Sequence, residues 1–302
     1  MIDYSQPWDA AESLQRSSRR QGLLRRLLGN PGGMVGLVLV ALVIVVAALA
    51  PLLSPLDPAQ QDITSRLQPP FWAEGGSLDH PFGTDSVGRD ILSRVIHGSR
   101  ISIFVGLVAT ASSALLGVSL GLIAGYLGGT SDSVISRLGD VQQAIPFLVL
   151  AIAVAALLGP GLRNLILVLV ITTWVTFFRV VRGEVLTVRE EQYVLSARAI
   201  GATSVRIILR YILPNVAASI IVIATLLVAN MIIFEASLSF LGLGVPSSIP
   251  TWGRIVADGR EYIADEWWIA LFPGLAILIT VMGINLIGDW LREDLDPRWR
   301  RR

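Results

Sequence analysis

The chain contains no lysine; all 24 of its basic side chains are arginines. A GC-rich coding sequence accounts for that bias, but the chemical consequence stands. A phosphate-binding loop of the form Gly-x-x-x-x-Gly-Lys-Ser/Thr needs its lysine on the phosphates, so this chain does not bind ATP in that way. Nor does a Gly-rich loop with strand-then-helix flanks occur. The absence of cysteine excludes disulfides, thiolate metal sites and cysteine nucleophiles. The two histidines, His80 and His97, lie in a polar stretch and read as solvated or capping residues, not metal ligands. No Ser–His–Asp set or carboxylate pair stands in a catalytic context, and Glu190–Glu191 balance charge in an arginine-rich segment. A non-catalytic protein is expected.

Charge is also scarce. Charged residues make up 16% of the chain, hydrophobic residues 53%, and the mean hydropathy is +0.65; soluble domains carry about 25% charged residues. The distribution is more telling than the total. No charge falls between Arg26 and Asp57, Arg100 and Asp132, Asp140 and Arg163, Arg210 and Glu235, or Glu266 and Asp289. Each gap is long enough for an α-helix to cross a hydrocarbon core of about 30 Å. A sixth gap, Arg163 to Arg179, holds only 15 residues, and spans if both arginines snorkel to the interfaces. The expectation is an all-α polytopic membrane protein with six transmembrane helices.

Arginine placement gives the orientation. With the N-terminus inside, segments 1–33, 128–140, 179–210 and 289–302 hold 17 arginines, and the outside segments 54–100, 160–163 and 236–266 hold 7. The positive-inside bias puts both termini in the cytoplasm, as an even number of spans requires. The first apolar run, followed by Ala48-Leu49-Ala50, resembles a secretory signal, but it exceeds the usual 7–15 residues of such a run and is expected to be an uncleaved anchor. The resulting organisation is a cytoplasmic segment 1–33, a first span with its proline-rich outer loop over 34–100, a transmembrane core over 101–288 and a cytoplasmic tail 289–302.

Within the core, Gly106, Ala109, Ser112, Ser113, Gly117, Gly121 and Gly125 recur along the second span, several of them four apart. That spacing lets helix backbones approach closely in lipid, so this helix is expected to pack against protein. The polar residues inside spans, Thr172, Thr173, Thr176, Asn230 and Asn285, form no chain of ionisable groups such as a proton- or sodium-coupled pump often shows; hydrogen bonding between helices is the expectation for most of them. Trp267 and Trp268 look like an interfacial belt. Phe240 to Val245, apolar and glycine-rich, is either a surface loop or part of a gate.

The segment Tyr193 to Pro214 differs from everything around it. It is amphipathic and lies between two apolar runs. With the preceding loop it carries Arg179, Arg182, Arg189, Arg198, Arg206 and Arg210, has Gly201 at its centre, and ends on a proline that restarts the next span. Helical periodicity on both sides of one glycine predicts two short helices joined by a turn at about 190–212, on the cytoplasmic surface, where a soluble partner can push.

Several strings then carry a resemblance. They are Gly83-Thr84-Asp85 with Gly88-Arg89-Asp90, Gly98 to Ser102, Gly121 to Gly129, Asp140 with Pro146, Tyr193 to Pro214, Glu235 to Gly244, Trp252-Gly253, Phe272-Pro273-Gly274, and Asn285 with Gly288-Asp289. In that order, from about residue 23 to the C-terminus, the chain resembles the permease subunits of bacterial ATP-binding-cassette importers of the dipeptide, oligopeptide and nickel family, the second-permease type. The resemblance implies a type I importer permease fold in the bacterial inner membrane, with Tyr193, Ala197, Arg198, Gly201, Ala202 and Arg206 coupling to the ATPase. It implies a second homologous permease, two ATPase domains that hold ATP and Mg, an extracytoplasmic binding protein and a lipid bilayer as partners, with no cofactor on this chain and no nucleic acid. The family signature has glutamate where Leu195 stands and alanine where Ser196 stands, which removes one polar contact to the ATPase. On the outside, Glu235, Phe240, Trp252, Arg254 and Arg260 are expected at the gate and docking face. Short peptides are the expected cargo; nickel, glutathione or modified peptides are alternatives within the same family. A secondary transporter would show intramembrane charges or inverted repeats, and a mere anchor would not need a glycine-broken helix pair.

Overall fold

A computed structural model describes residues 26–27 and 29–295, which fold into helices and turns. The expected cytoplasmic N-terminal segment and the tail beyond Leu295 lie largely outside those residues. Helix α1 (Pro31–Ala48) starts where the side chain of Asn30 accepts the Gly33 N–H, with Pro31 in the first turn, where its missing N–H costs nothing. A short α2 (Ala50–Leu53) follows, then the proline-rich loop. Helix α3 (Ile91–Leu127) is capped by Asp90, which accepts the Ser93 N–H at 2.7 Å. At 37 residues it is about 55 Å long, more than a bilayer core needs, so its ends project beyond it.

The middle of the fold departs from the spacing of the charges. Helices α4 (Gly129–Ala144) and α5 (Phe147–Leu158) meet at a bend of 96°. Pro146 is the cause: a residue before proline avoids the helical region, and Ile145 takes ψ 126°. Helix α6 (Leu162–Val188) then runs 27 residues, past both Arg163 and Arg179. The fourth crossing is therefore not the short one; the third is, with only 12 residues in α5. Charge did not mark these ends because Arg182 pairs with Asp132, and Arg179 with Asp140 at 2.8 Å, both on α4. Among the described residues, five helices are long and apolar enough to cross a membrane, and the bent pair makes a sixth crossing if counted as one.

Helices α7 (Gln192–Ala199) and α8 (Ser204–Ile207) lead into α9 (Leu213–Phe240). The join is not a restart. Residues Ile208–Ile212 form a π turn, with the Leu213 N–H donating to the Ile208 carbonyl, so the helix is continuous from Ser204 to Phe240. A widened turn relieves the clash between a helical proline and the carbonyl four residues earlier, and Pro214 stands immediately after it. Short α10 (Trp252–Gly259) and the last span, α11 (Trp268–Leu295), complete the fold.

The spine of the bundle is α3 against α6. A Cβ at Gly117 would lie 2.3 Å from the Trp174 carbonyl oxygen, and one at Gly121 or Gly125 within 2.9 Å of a Val181 or Val185 side chain. The four-residue glycine spacing therefore holds these two helices in contact. Ser113 and Thr173 hydroxyls hydrogen-bond across the same interface at 2.9 Å. Thr172 and Asn230 instead bond to carbonyls of their own helices. Between α3, α5, α6 and α9 lies the main core, including Val105, Ala151, Leu169, Met231 and Leu238. Helix α1 keeps residues such as Val38 and Leu42 more than half exposed, as a lipid-facing helix does.

Candidate coupling and gating sites

On the arginine-rich side, α7 ends in a double-bonded turn. The Ala202 N–H donates to the Ala197 carbonyl at 3.1 Å and the Gly201 N–H to the Arg198 carbonyl at 3.0 Å. Gly201 sits at φ +82°. This is the hydrogen-bond pattern of a Schellman cap, in which the left-handed position favours glycine and the residues flanking the cap make an apolar contact. Ala197 and Ala202 supply that contact, packed in a cluster with Leu122, Val181, Val185 and Ile207. Thr203 then caps α8 by accepting the Arg206 N–H.

The pair has two faces. Val194, Ala197 and Ile207 are buried. Tyr193, Leu195 and Val205 point outward, and Ile200, beside the turn, is 84% exposed. Ala197, buried, and Ala202, partly buried, support the turn from beneath. The Arg198 guanidinium sits 5.5 Å from the centre of the Tyr126 ring, which ties α7 to the end of α3; Arg206 is exposed. Partial burial, then the charge of Glu191, pushes the Tyr193 phenol above its usual value, so it stays a neutral amphipathic contact. Of the other arginines, Arg189 donates to the Gly125 carbonyl at 2.8 Å.

At the opposite end of α9, Glu235 is fully buried. Its carboxylate accepts from the Ser239 and Thr251 hydroxyls, each at 2.8 Å, and from Ser102 at 3.5 Å. Ser102 also accepts the Trp252 N–H at 3.1 Å. One side chain thus joins α3, the end of α9 and the start of α10. The loop between folds back: the Leu243 N–H returns to the Leu238 carbonyl and Val245 enters the core. Trp252 is 1% exposed and donates its indole N–H to the Val95 carbonyl at 3.0 Å. Trp252 and Glu235 are therefore internal anchors with no exposed surface for docking, which corrects the docking part of the expectation. Phe240 and Arg260 remain at the surface, the guanidinium 5.6 Å from the ring centre. Trp268 likewise leaves the interfacial belt: it is buried and donates to the Thr84 carbonyl at 3.2 Å, while Trp267 stays exposed.

The profile of the family described as "binding-protein-dependent transport system inner membrane component" matches residues 117–301. The chain belongs to that family. A second profile, the N-terminal transmembrane domain of oligopeptide transport permease C, matches residues 18–70. The permease is 42% identical over 269 residues to the di/tripeptide transport system permease protein DppC of Pseudomonas aeruginosa, covering 89% of each chain. It is 40% identical to the dipeptide transport system permease protein DppC of Bacillus subtilis, over 96% of this chain and 90% of that protein. Among solved structures, an inward-facing MetNI methionine ABC transporter matches with a TM-score of 0.52 at 17% identity, covering 68% of this chain and 98% of that one. The fold is that of an ABC importer permease.

The permease also holds a polar centre that the sequence did not mark as a unit. Asp85 accepts from Arg89 Nε at 2.6 Å and from Arg94 Nη1 at 2.5 Å. Asp258 of α10 accepts from Arg94 Nη2 at 2.9 Å and Arg89 Nη2 at 3.1 Å. All four side chains are at most 9% exposed. The string Gly83-Thr84-Asp85 with Gly88-Arg89-Asp90 thus knots the proline-rich loop onto α10. Gly88, at φ +77°, passes so close to the Asp62 backbone that a Cβ would stand 1.7 Å from its carbonyl oxygen. Asp258 lies more than 160 residues from its arginines, and no local pattern links them.

Proposed function

We propose that this permease is one of two membrane subunits of an ATP-driven importer of short peptides in the bacterial cytoplasmic membrane, with both termini cytoplasmic. Two separate ATPase subunits hold the ATP and Mg, and this chain carries no cofactor. The observation that bears most weight is the helix pair about Gly201: a rigid, capped turn with Tyr193, Leu195, Ile200 and Val205 exposed on an otherwise basic face. An apolar ridge of that kind, on the arginine-rich side, fits a groove in a soluble partner. The relatives named as dipeptide and di/tripeptide permeases support a peptide cargo. The outer segment 236–266 forms the gate, with Arg260 available to an extracytoplasmic binding protein.

The test is uptake of labelled di- to oligopeptides in a strain lacking this subunit, with and without complementation, together with co-purification of an ATPase. Peptide uptake that falls on deletion and returns with the gene supports the reading. Intact peptide uptake with lost nickel accumulation would replace peptides by the metal as cargo.

A further inference from the structure

The outer knot leaves one guanidinium over. Arg89 and Arg94 together saturate Asp85 and the Oδ2 of Asp258; Arg89 also donates to the Ser247 carbonyl at 3.0 Å. Arg254, one turn before Asp258, reaches only its Oδ1, Nε to oxygen 2.9 Å. Although that Nε is buried, it has no aligned hydrogen bond, and the terminal nitrogens have no acceptor among the described residues. Three guanidiniums therefore face two carboxylates, and Arg254, 28% exposed, is the one that reaches the surface of the cluster. A planar guanidinium with free donors matches a carboxylate in two-pronged fashion.

A cavity of about 430 Å³ opens at this point, on the outer side of the bundle, within the roughly 300–1,000 Å³ of small-molecule sites. Arg254 and Arg260 line it, with Ser86 and Tyr262 adding hydroxyls and Phe240 and Gly242 of the gate forming a wall. Arg260 is only loosely held by the exposed Glu261, at 3.9 Å. Of the acids that line the pocket, Asp258 is engaged by Arg89, Arg94 and Arg254, while Glu261 is exposed at its rim. We propose that this pocket receives the C-terminal carboxylate of the peptide cargo at the outer mouth of the pathway, with Arg254 as its principal partner. This rests on the peptide reading above.

The experiment uses the assembled transporter, both permeases and the ATPase subunits, in nanodiscs without binding protein, titrated with dialanine and dialanine amide by saturation-transfer NMR. The expected result is at least a tenfold preference for the free acid, the range of one charge-assisted contact. Arg254→Gln abolishes the preference and Arg254→Lys restores part of it, while the complex stays assembled. Equal or undetectable binding of the two forms by the wild type, or an undiminished preference in Arg254→Gln, overturns the site. So does a parallel titration with the binding protein in which Arg254→Gln weakens only binding-protein affinity, which would make Arg254 a docking contact. If the wild-type transporter imports no peptide at all, the underlying reading fails instead.

Discussion

Substituting Gly201 by valine tests the coupling turn with little ambiguity, because the structure separates backbone strain from packing. A Cβ built at Gly201 meets nothing within 4 Å, so a larger side chain has room and the only penalty is conformational. The residue stands at φ +82°, where an L-residue loses about 1–2 kcal/mol and a β-branched one is a genuine outlier. A penalty of that size shifts the balance between closed and open turn by a factor of about 5–30. Both cap hydrogen bonds, Ala202 to Ala197 and Gly201 to Arg198, open together, and Ile200 and α8 lose their fixed relation. Membrane insertion should survive, since the spans on either side are untouched. Peptide uptake in vesicles should fall several-fold at equal protein level, with ATP hydrolysis no longer stimulated by cargo. Gly201→Asn, which tolerates the left-handed region, should stay close to wild type. Unchanged uptake in Gly201→Val, or an Asn variant as poor as the Val variant, refutes the reasoning.

Glu235→Leu should lower the thermal midpoint of the detergent-solubilised permease, at about 1–3 kcal/mol for each buried hydroxyl left without its acceptor, whereas Glu235→Gln keeps an acceptor and should lose less. Arg94→Met removes a side chain that is 1% exposed and spans both carboxylates of the knot; it should cost about 3–5 kcal/mol and appear as loss of folded protein in the membrane fraction. Leu195→Glu, on the solvent face of α7, should leave uptake within about twofold of wild type, as surface substitutions usually change stability by less than 0.5 kcal/mol.

How much of this was legible in the sequence depends on how far each feature's partners lie. The spans showed as charge-free gaps because a bilayer penalises unpaired charge locally. The two middle boundaries did not, because Arg182 and Arg179 are neutralised by Asp132 and Asp140 on α4, and pairing across helices leaves no trace in hydropathy. The glycine-broken helix pair was visible from its 3.6-residue period. The π turn before Pro214 was not, since nothing in side-chain polarity encodes a bond to the fifth residue back. Trp268 and Trp252 were assigned to surfaces by their type, yet each indole finds a carbonyl more than 150 residues away. Asp85 and Arg89 of the knot were read within a family string, but Arg94 and Asp258 were not marked at all; their mutual contact, and the exposed donors of Arg254, arise only when the loop meets α10 in the fold.

The proposed coupling has a simple mechanical form. Ser204 to Phe240 is one continuous helix of 37 residues, about 55 Å from end to end. Its lower end is fixed by the capped turn at Gly201, and its upper end carries Glu235, which holds Ser102 on α3 and Thr251 at the start of α10. A helix packed along its length transmits displacement of one end to the other without storing it in loops, except where its hydrogen-bond ladder is irregular. The single irregularity among the described residues of this rod is the π turn at Ile208–Ile212, immediately above the turn where an ATPase would push. In the proposed mechanism that turn sets how much of the push becomes rotation and how much becomes translation of Glu235. A carboxylate with three hydroxyl partners on three elements cannot follow either motion without releasing some of them, and their release would free α10 and the gate.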